Sequence, residues 1–173
     1  MIVCTTPRLL LRRFTPEDAA FIQRLLNDPD FVRYIGDKGV RDEASARRYL
    51  HDGPLASYAR HGFGLYLVAR RDDGVAIGMC GLIKRDHLPD ADLGYAYLPE
   101  YRGSGYAAEA AAATIELARA SHALPRLLAI TDRDNDASGR LLGKLGFARA
   151  GELDVDGKAI PLNVYALQLA ATG

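Results

Sequence analysis

The chain has 173 residues, enough for one domain that buries roughly two-thirds of its unfolded surface without metal or disulfide support. Lys+Arg and Asp+Glu both number 22, so no global field draws it to nucleic acid or to an anionic membrane, and a polyanionic ligand has to be held locally. Two distant cysteines, Cys4 and Cys80, argue against a disulfide framework or a zinc site, and no apolar run approaches the length of a membrane span or follows a basic leader, so the expected location is the cytoplasm.

In chain order, RLLLRRF (8–14) reads as a first strand. TPEDAAFIQRLLND (15–28) reads as a helix, with Thr15 as N-cap, Pro16 at the first helical position and acidic residues in the first turn. A second helical region over 41–60 is interrupted near Gly53-Pro54. Three short β-rich runs follow: 62–70, 75–83 and 91–98, the first two joined by the tight RDDG turn (71–74). A helix is expected from about Gly105 to Ala120, then a strand over 126–132 and a helix over 135–146 that ends on glycine. Two final strands flank DVDG (154–157), and no repeat, low-complexity segment or linker divides residues 1–173. The order βααβββαβαββ describes a single α+β domain.

PEYRGSGYAAEAA (99–111) joins a strand to an alanine-rich helix, which leaves several backbone N–H groups pointing one way. Those orphan donors and the helix dipole suit an anion. Gly103 and Gly105 let a phosphate approach the backbone, and Arg102 adds a guanidinium for a pyrophosphate oxygen pair. Ala107, Ala108, Ala110 and Ala111 let the helix sit close to the sheet. A plain glycine-rich connection with alanine packing remains open at this point. The R-x-x-G-x-A spacing, after three strands rather than the first, disfavours a dinucleotide-binding fingerprint.

Arg102-Gly103-Ser104-Gly105-Tyr106-Ala107 resembles the R/Q-x-x-G-x-G/A signature of GCN5-related N-acetyltransferases (GNAT). TPRLLLRRFTPEDA, GYAYLPEYRGSGYAAEA and NDASGRLLGKLGF resemble, in order, the RimJ/RimL-like, ribosomal-protein-acetyltransferase branch, covering most of residues 5–150. The resemblance implies the GNAT fold: a mixed, largely antiparallel sheet of about seven strands with one splayed parallel pair, flanked by about four helices. It implies acetyl-CoA as co-substrate with no metal, and a primary amine as acceptor, either a protein N-terminal α-amine or a small molecule. The turn then binds pyrophosphate through the amides of residues 102–107. Pantetheine lies in the gap between strands 91–98 and 126–132, pairing with backbone groups near Tyr97 and Leu98 as an added strand does. Pro99 ends that ladder where the pyrophosphate begins. A monomer and a homodimer both remain open.

Direct transfer needs a neutral amine and a partner for the departing thiolate. At pH 7 an α-amine near pKa 7.8 is about 1 kcal/mol from its neutral form and a lysine about 4.6 kcal/mol, so an α-amine needs only a modest base. Asp92, at the start of the strand before the turn, is the leading base, with His87 as an alternative; a solvated loop carboxylate is the competing reading of Asp92. Glu109 reads as structural, tying the loop to its helix. The resemblance sets Asn135 beside pantetheine and Ser138 near the thioester sulfur as general acid, while Asn135 also suits an N-cap. The tyrosine the family often carries on this helix has no counterpart in GRLLGKLGF. Tyr34 is expected to line the acceptor site with the 154–159 turn. A non-catalytic acyl-CoA-binding or sensing module on the same fold is the alternative.

Overall fold

The computed structural model describes residues 1–170. Among the described residues, eight strands form one sheet: β1 (Ile2–Thr5), β2 (Leu9–Arg13), β3 (Leu65–Arg70), β4 (Ala76–Ile83), β5 (Asp92–Tyr97), β6 (Arg126–Thr131), β7 (Ala148–Leu153) and β8 (Leu162–Gln168). Their order is β1-β2-β3-β4-β5-β6-β8-β7. Every neighbouring pair is antiparallel except β5 and β6. The expected strands are all present, and β1 adds one that its four residues are too few to announce by periodicity.

The described residues form six α-helices, which pack on the two faces. Two of them, α1 (Ala19–Leu26) and α2 (Pro29–Tyr34), precede α3 (Glu43–Leu50) and α4 (Ala56–His61). The last two are α5 (Tyr106–Ala120) and α6 (Asp136–Lys144). The expected break at Gly53-Pro54 is a single widened turn, His51–Leu55, that carries the chain from α3 into α4 without a stop. Pro54 has no N–H to give to the preceding turn, so the ladder widens around it. Short α2 starts where Asp28 accepts a hydrogen bond from the Phe31 amide at 3.2 Å and Pro29 takes the first helical position.

Alternation along the strands sorts the core into two layers. Ile22, Leu25 and Leu26 of α1 and Ala46 and Leu50 of α3 bury against Leu67, Met79 and Leu98 on one face. On the other face Ala110, Ala111, Ile115 and Ala118 of α5 lie against Ile77, Leu93, Tyr97 and Leu127. The small residues of α5 carry no long side chain to hold the helix away from the sheet, so its N-terminus stays close to the end of β5. Each fully buried leucine or isoleucine contributes about 1.5–3 kcal/mol of transfer free energy.

The register of the parallel pair positions the site. β5 and β6 are joined at one residue pair, Asp92 with Leu128, where the Leu128 amide donates to the Ala91 carbonyl at 3.0 Å. Beyond it the strands part toward their C-terminal ends, although β5 stays paired with β4 along its whole length. The divergence expected for strands 91–98 and 126–132 is therefore present. It exposes the backbone of β5 on one side only.

Candidate active site

Ladder parity identifies which backbone groups face the gap. The Leu98 amide donates to the Ile77 carbonyl at 2.9 Å, so Leu98, Ala96 and Gly94 present their N–H and C=O groups to β4. Ala91, Leu93, Tyr95 and Tyr97 present theirs to the gap. The pantetheine contact expected at Leu98 is thus on the wrong side of the strand, and the Leu98 carbonyl is also taken, by the Tyr101 amide at 3.1 Å. The Tyr97 carbonyl is taken as well, by Arg102, so the free edge is the Tyr95 backbone and the Tyr97 amide. The Tyr97 phenol is buried on the α5 face, and its hydroxyl has no hydrogen-bond partner among the described residues.

At the end of β5, Gly103 and Gly105 adopt the left-handed conformation, with φ of 79° and 83°. Gly105 is the N-cap of α5, and a side chain there would be strained whatever the space. An ideal Cβ on Gly103 meets nothing within 4 Å, whereas one on Gly105 lies 3.2 Å from Nη2 of Arg8. Arg8 runs along the back of the turn. It donates to the Ser104 carbonyl at 2.9 Å, lies 4.5 Å from the centre of the Tyr106 ring, and pairs through Nε with Glu109 at 2.9 Å. Burial opposes ionisation of Glu109, yet hydrogen bonds from Thr6 and Arg8 outweigh it and hold the carboxyl below its ordinary value. This is the tie between loop and helix expected of Glu109. Ala107 packs against the core at the start of the helix.

Arg102 behaves differently from expectation. Its Nη2 donates to the buried Asp28 at 2.7 Å, its Nη1 to Asp30 at 2.6 Å, and both Nε and Nη2 reach the Tyr97 carbonyl. Two carboxylates and a carbonyl engage the guanidinium and fasten α2 to the turn, so it is not free for a phosphate in this arrangement. The neighbouring cation that sequence reasoning missed is Arg8, about a hundred residues away in the chain.

The gap opens into a cleft of about 620 Å³ lined by Tyr34, Asp92, Tyr95, Asn135, Ser138 and the turn residues Val155 and Lys158, among others. Tyr34 and the 154–159 turn, expected together, do line the same cleft. Asp92 is 1% exposed, not a solvated loop carboxylate, and Arg85 Nε lies 3.0 Å from its Oδ1. Burial pushes its carboxyl up, against the opposing pull of the Arg85 and His87 charges. His87 also lines the cleft, from an exposed position. Asn135 caps α6, its side chain accepting from the Ser138 amide at 3.2 Å. Thr131, at the end of β6, has a buried hydroxyl without a partner among the described residues.

Ser138 has a partner that the sequence did not reveal. Its hydroxyl is hydrogen-bonded to the Tyr95 hydroxyl across the gap. Burial pushes the Tyr95 hydroxyl up to about 12, with the Ser138 hydrogen bond pulling the other way. A tyrosine therefore does stand beside the first turn of this helix, supplied by β5. No signal along DLGYAYL separates it from ordinary strand alternation.

The single pair at Asp92 and Leu128, the free edge at Tyr95 and Tyr97 and the two left-handed glycines fit one extended ligand that ends in phosphate. Comparison with known proteins shows the family. A family model of the acetyltransferase (GNAT) domain matches residues 8–148. The chain is 28% identical over 171 residues to the uncharacterised N-acetyltransferase YoaA of Bacillus subtilis (strain 168), covering 95% of this chain and 96% of that one. It is 30% identical over 152 residues to the uncharacterised N-acetyltransferase p20 of Bacillus licheniformis, covering 86% and 83%. Among solved structures, a GNAT-family acetyltransferase from Bacillus anthracis superposes with a TM-score of 0.80 at 24% identity, covering 97% of this chain and 98% of that one. RimL, a ribosomal L7/L12 alpha-N-protein acetyltransferase in complex with coenzyme A, superposes with a TM-score of 0.81 at 16% identity, covering 98% of each.

Proposed function

The chain belongs to the GNAT acetyltransferase family, and from that premise we propose that it transfers the acetyl group of acetyl-CoA directly to a primary amine. The observation that carries this reading is the one-sided opening between β5 and β6, with the Tyr95–Ser138 pair across it. Pantetheine takes the place of the missing strand and pairs with the backbone of Tyr95 and with the Tyr97 amide. Backbone amides of residues 103–107 receive the pyrophosphate, helped by the positive end of the α5 dipole. Arg8 braces that turn from behind.

The acceptor enters from the face lined by α2, α3 and the 154–159 turn, and its neutral nitrogen attacks the thioester carbonyl. The C–N bond forms, the C–S bond breaks, and the proton that leaves nitrogen ends, directly or through water, on sulfur. Ser138 and Tyr95 stabilise the negative charge as it gathers on the leaving sulfur, a contribution made mainly in the transition state. Asp92, held by Arg85, is a poor free base while that contact lasts. An acceptor with a low-pKa amine is the one that needs the least help.

Free thiol is followed while acetyl-CoA is incubated with a panel of peptide N-termini and small amines. Thiol release matched one for one by acetylated amine supports the reading. Tight CoA binding with no release from any acceptor would instead favour an acyl-CoA sensor.

A further inference from the structure

Resting on that reading, we infer that the acceptor carries an oxyanion, a carboxylate or phosphate, which Arg85 receives beside the closed end of the β5–β6 gap. Arg85 follows β4 and lines the cleft with a side chain one-third exposed. Only its Nε has a partner, the buried carboxylate of Asp92, and neither Nη makes a hydrogen bond to any described residue. A guanidinium fixed through Nε and open through both Nη atoms is a fork without its second ligand, and that fork matches the geometry of a carboxylate or phosphate.

The surrounding charges support the same occupant. Lys38 lines the cleft and makes no ion pair with a described residue, and Lys84 lies next to Arg85, its ammonium bonded only to the backbone carbonyls of Arg85 and Leu88. The lining carboxylates are each held already: Asp92 by Arg85, Asp132 by Lys158 at 3.3 Å, and Asp52 by its neighbour His51. The wall around Arg85 thus offers unmatched positive charge to a ligand.

Position makes the oxyanion part of the acceptor and not of the co-substrate. Asp92 marks the closed end of the gap, opposite the end that leads to the glycine turn. Its side chain lies on the α1–α3 face by strand alternation, whereas Tyr95 lies on the other. Three residues of β5, roughly 10 Å, separate them. An amine at the gap and an oxyanion at Arg85 fit within one small molecule or the first residues of a peptide. In this scheme Asp92 is a positioning residue: it aims Arg85.

The test compares matched acceptors: β-alanine with its amide, O-phosphoethanolamine with ethanolamine, and tetrapeptides with Glu or Gln at the second position. The three arms separate a free carboxylate, a phosphate and an acidic peptide as sources. One anionic member is expected to exceed its neutral partner at least about 10-fold in kcat/KM, chiefly through KM, the size of one charge-assisted hydrogen bond. Arg85→Gln leaves Asp92 buried without its cation, so the Arg85→Gln/Asp92→Asn double variant is measured as well. In both, the anionic-to-neutral ratio should collapse toward one, which a merely structural role would not cause because both acceptors would suffer alike. Calorimetric binding of each N-acetylated product to the CoA-loaded protein gives the same comparison without turnover, so failure of catalysis as such is told apart. Equal binding of anionic and neutral members by the unaltered protein, or a ratio unchanged in the double variant, overturns the inference.

Discussion

Replacing Tyr95 with phenylalanine removes one hydroxyl from the cleft and leaves the ring, so it isolates the contact to Ser138. The tyrosine hydroxyl sits at about 12, whereas an ordinary thiol titrates near 8.5. Handing a complete proton to sulfur would therefore run uphill, which favours partial donation in the transition state over complete transfer. Its contribution is a hydrogen bond to the charge developing on sulfur, relayed with Ser138. Losing one such donor costs about 10²–10³ in kcat. The fold loses one hydrogen bond, about 1 kcal/mol, or a fall of about 2–4 °C in Tm for a chain of this size. Steady-state kinetics at pH 7 with a confirmed acceptor should show kcat down by that factor and the acetyl-CoA KM nearly unchanged. Ser138→Ala should fall by about 10–1,000-fold, and the double variant should be no worse than the poorer single one, because the two hydroxyls act as a unit. Wild-type turnover in Tyr95→Phe would remove the pair from the mechanism.

Gly105→Val should weaken CoA binding by at least about 10-fold in calorimetry, because the turn is strained and Arg8 displaced, while Gly103→Ala, equally left-handed but in open space, should cost stability and much less affinity. Arg102→Ala should lower Tm by about 6–12 °C, since it strands the buried Asp28 at a cost of about 3 kcal/mol; a shift within 1–2 °C would mean that the α2 contact is dispensable. Asp92 contributes stability that is complete below the ordinary aspartate value of 3.8 and is lost as pH rises through its raised value, because burial favours its protonated form. The Tm of the wild type relative to Asp92→Asn should therefore decline as pH rises from acid toward neutrality, and a difference independent of pH across that window would contradict the raised value.

The parts of this protein that depend on local spacing were legible in the sequence. Gly103 and Gly105 mark the left-handed turn, the alternation of 91–98 and 126–132 marks two strands, and Asn135 stands before an apolar period as a cap does. What escaped reading lies in pairings across the chain. Tyr95 meets Ser138 because β5 and α6 flank the same gap, and Arg102 meets Asp28 and Asp30 because the start of α2 lies against the turn after β5. Arg8 reaches the glycine turn because β2 lies beneath the start of α5. The sequence points to Tyr97 and Leu98 as the β5 edge and not to Tyr95, because parity depends on which neighbour a strand pairs with, and composition does not record that. Short α2 did carry its signal, Asp28 followed by Pro29, but six residues are too few for a helical period to stand out.

A crystal structure with CoA bound tests the central claim most directly, because it reads the turn, the gap and the hydroxyl pair together. The account predicts pyrophosphate on the amides of residues 103–107, pantetheine amides paired with the Tyr95 backbone and the Tyr97 amide, and sulfur within hydrogen-bond reach of the Ser138 and Tyr95 hydroxyls. Pyrophosphate seated away from the glycine turn, or sulfur remote from that pair, would contradict it.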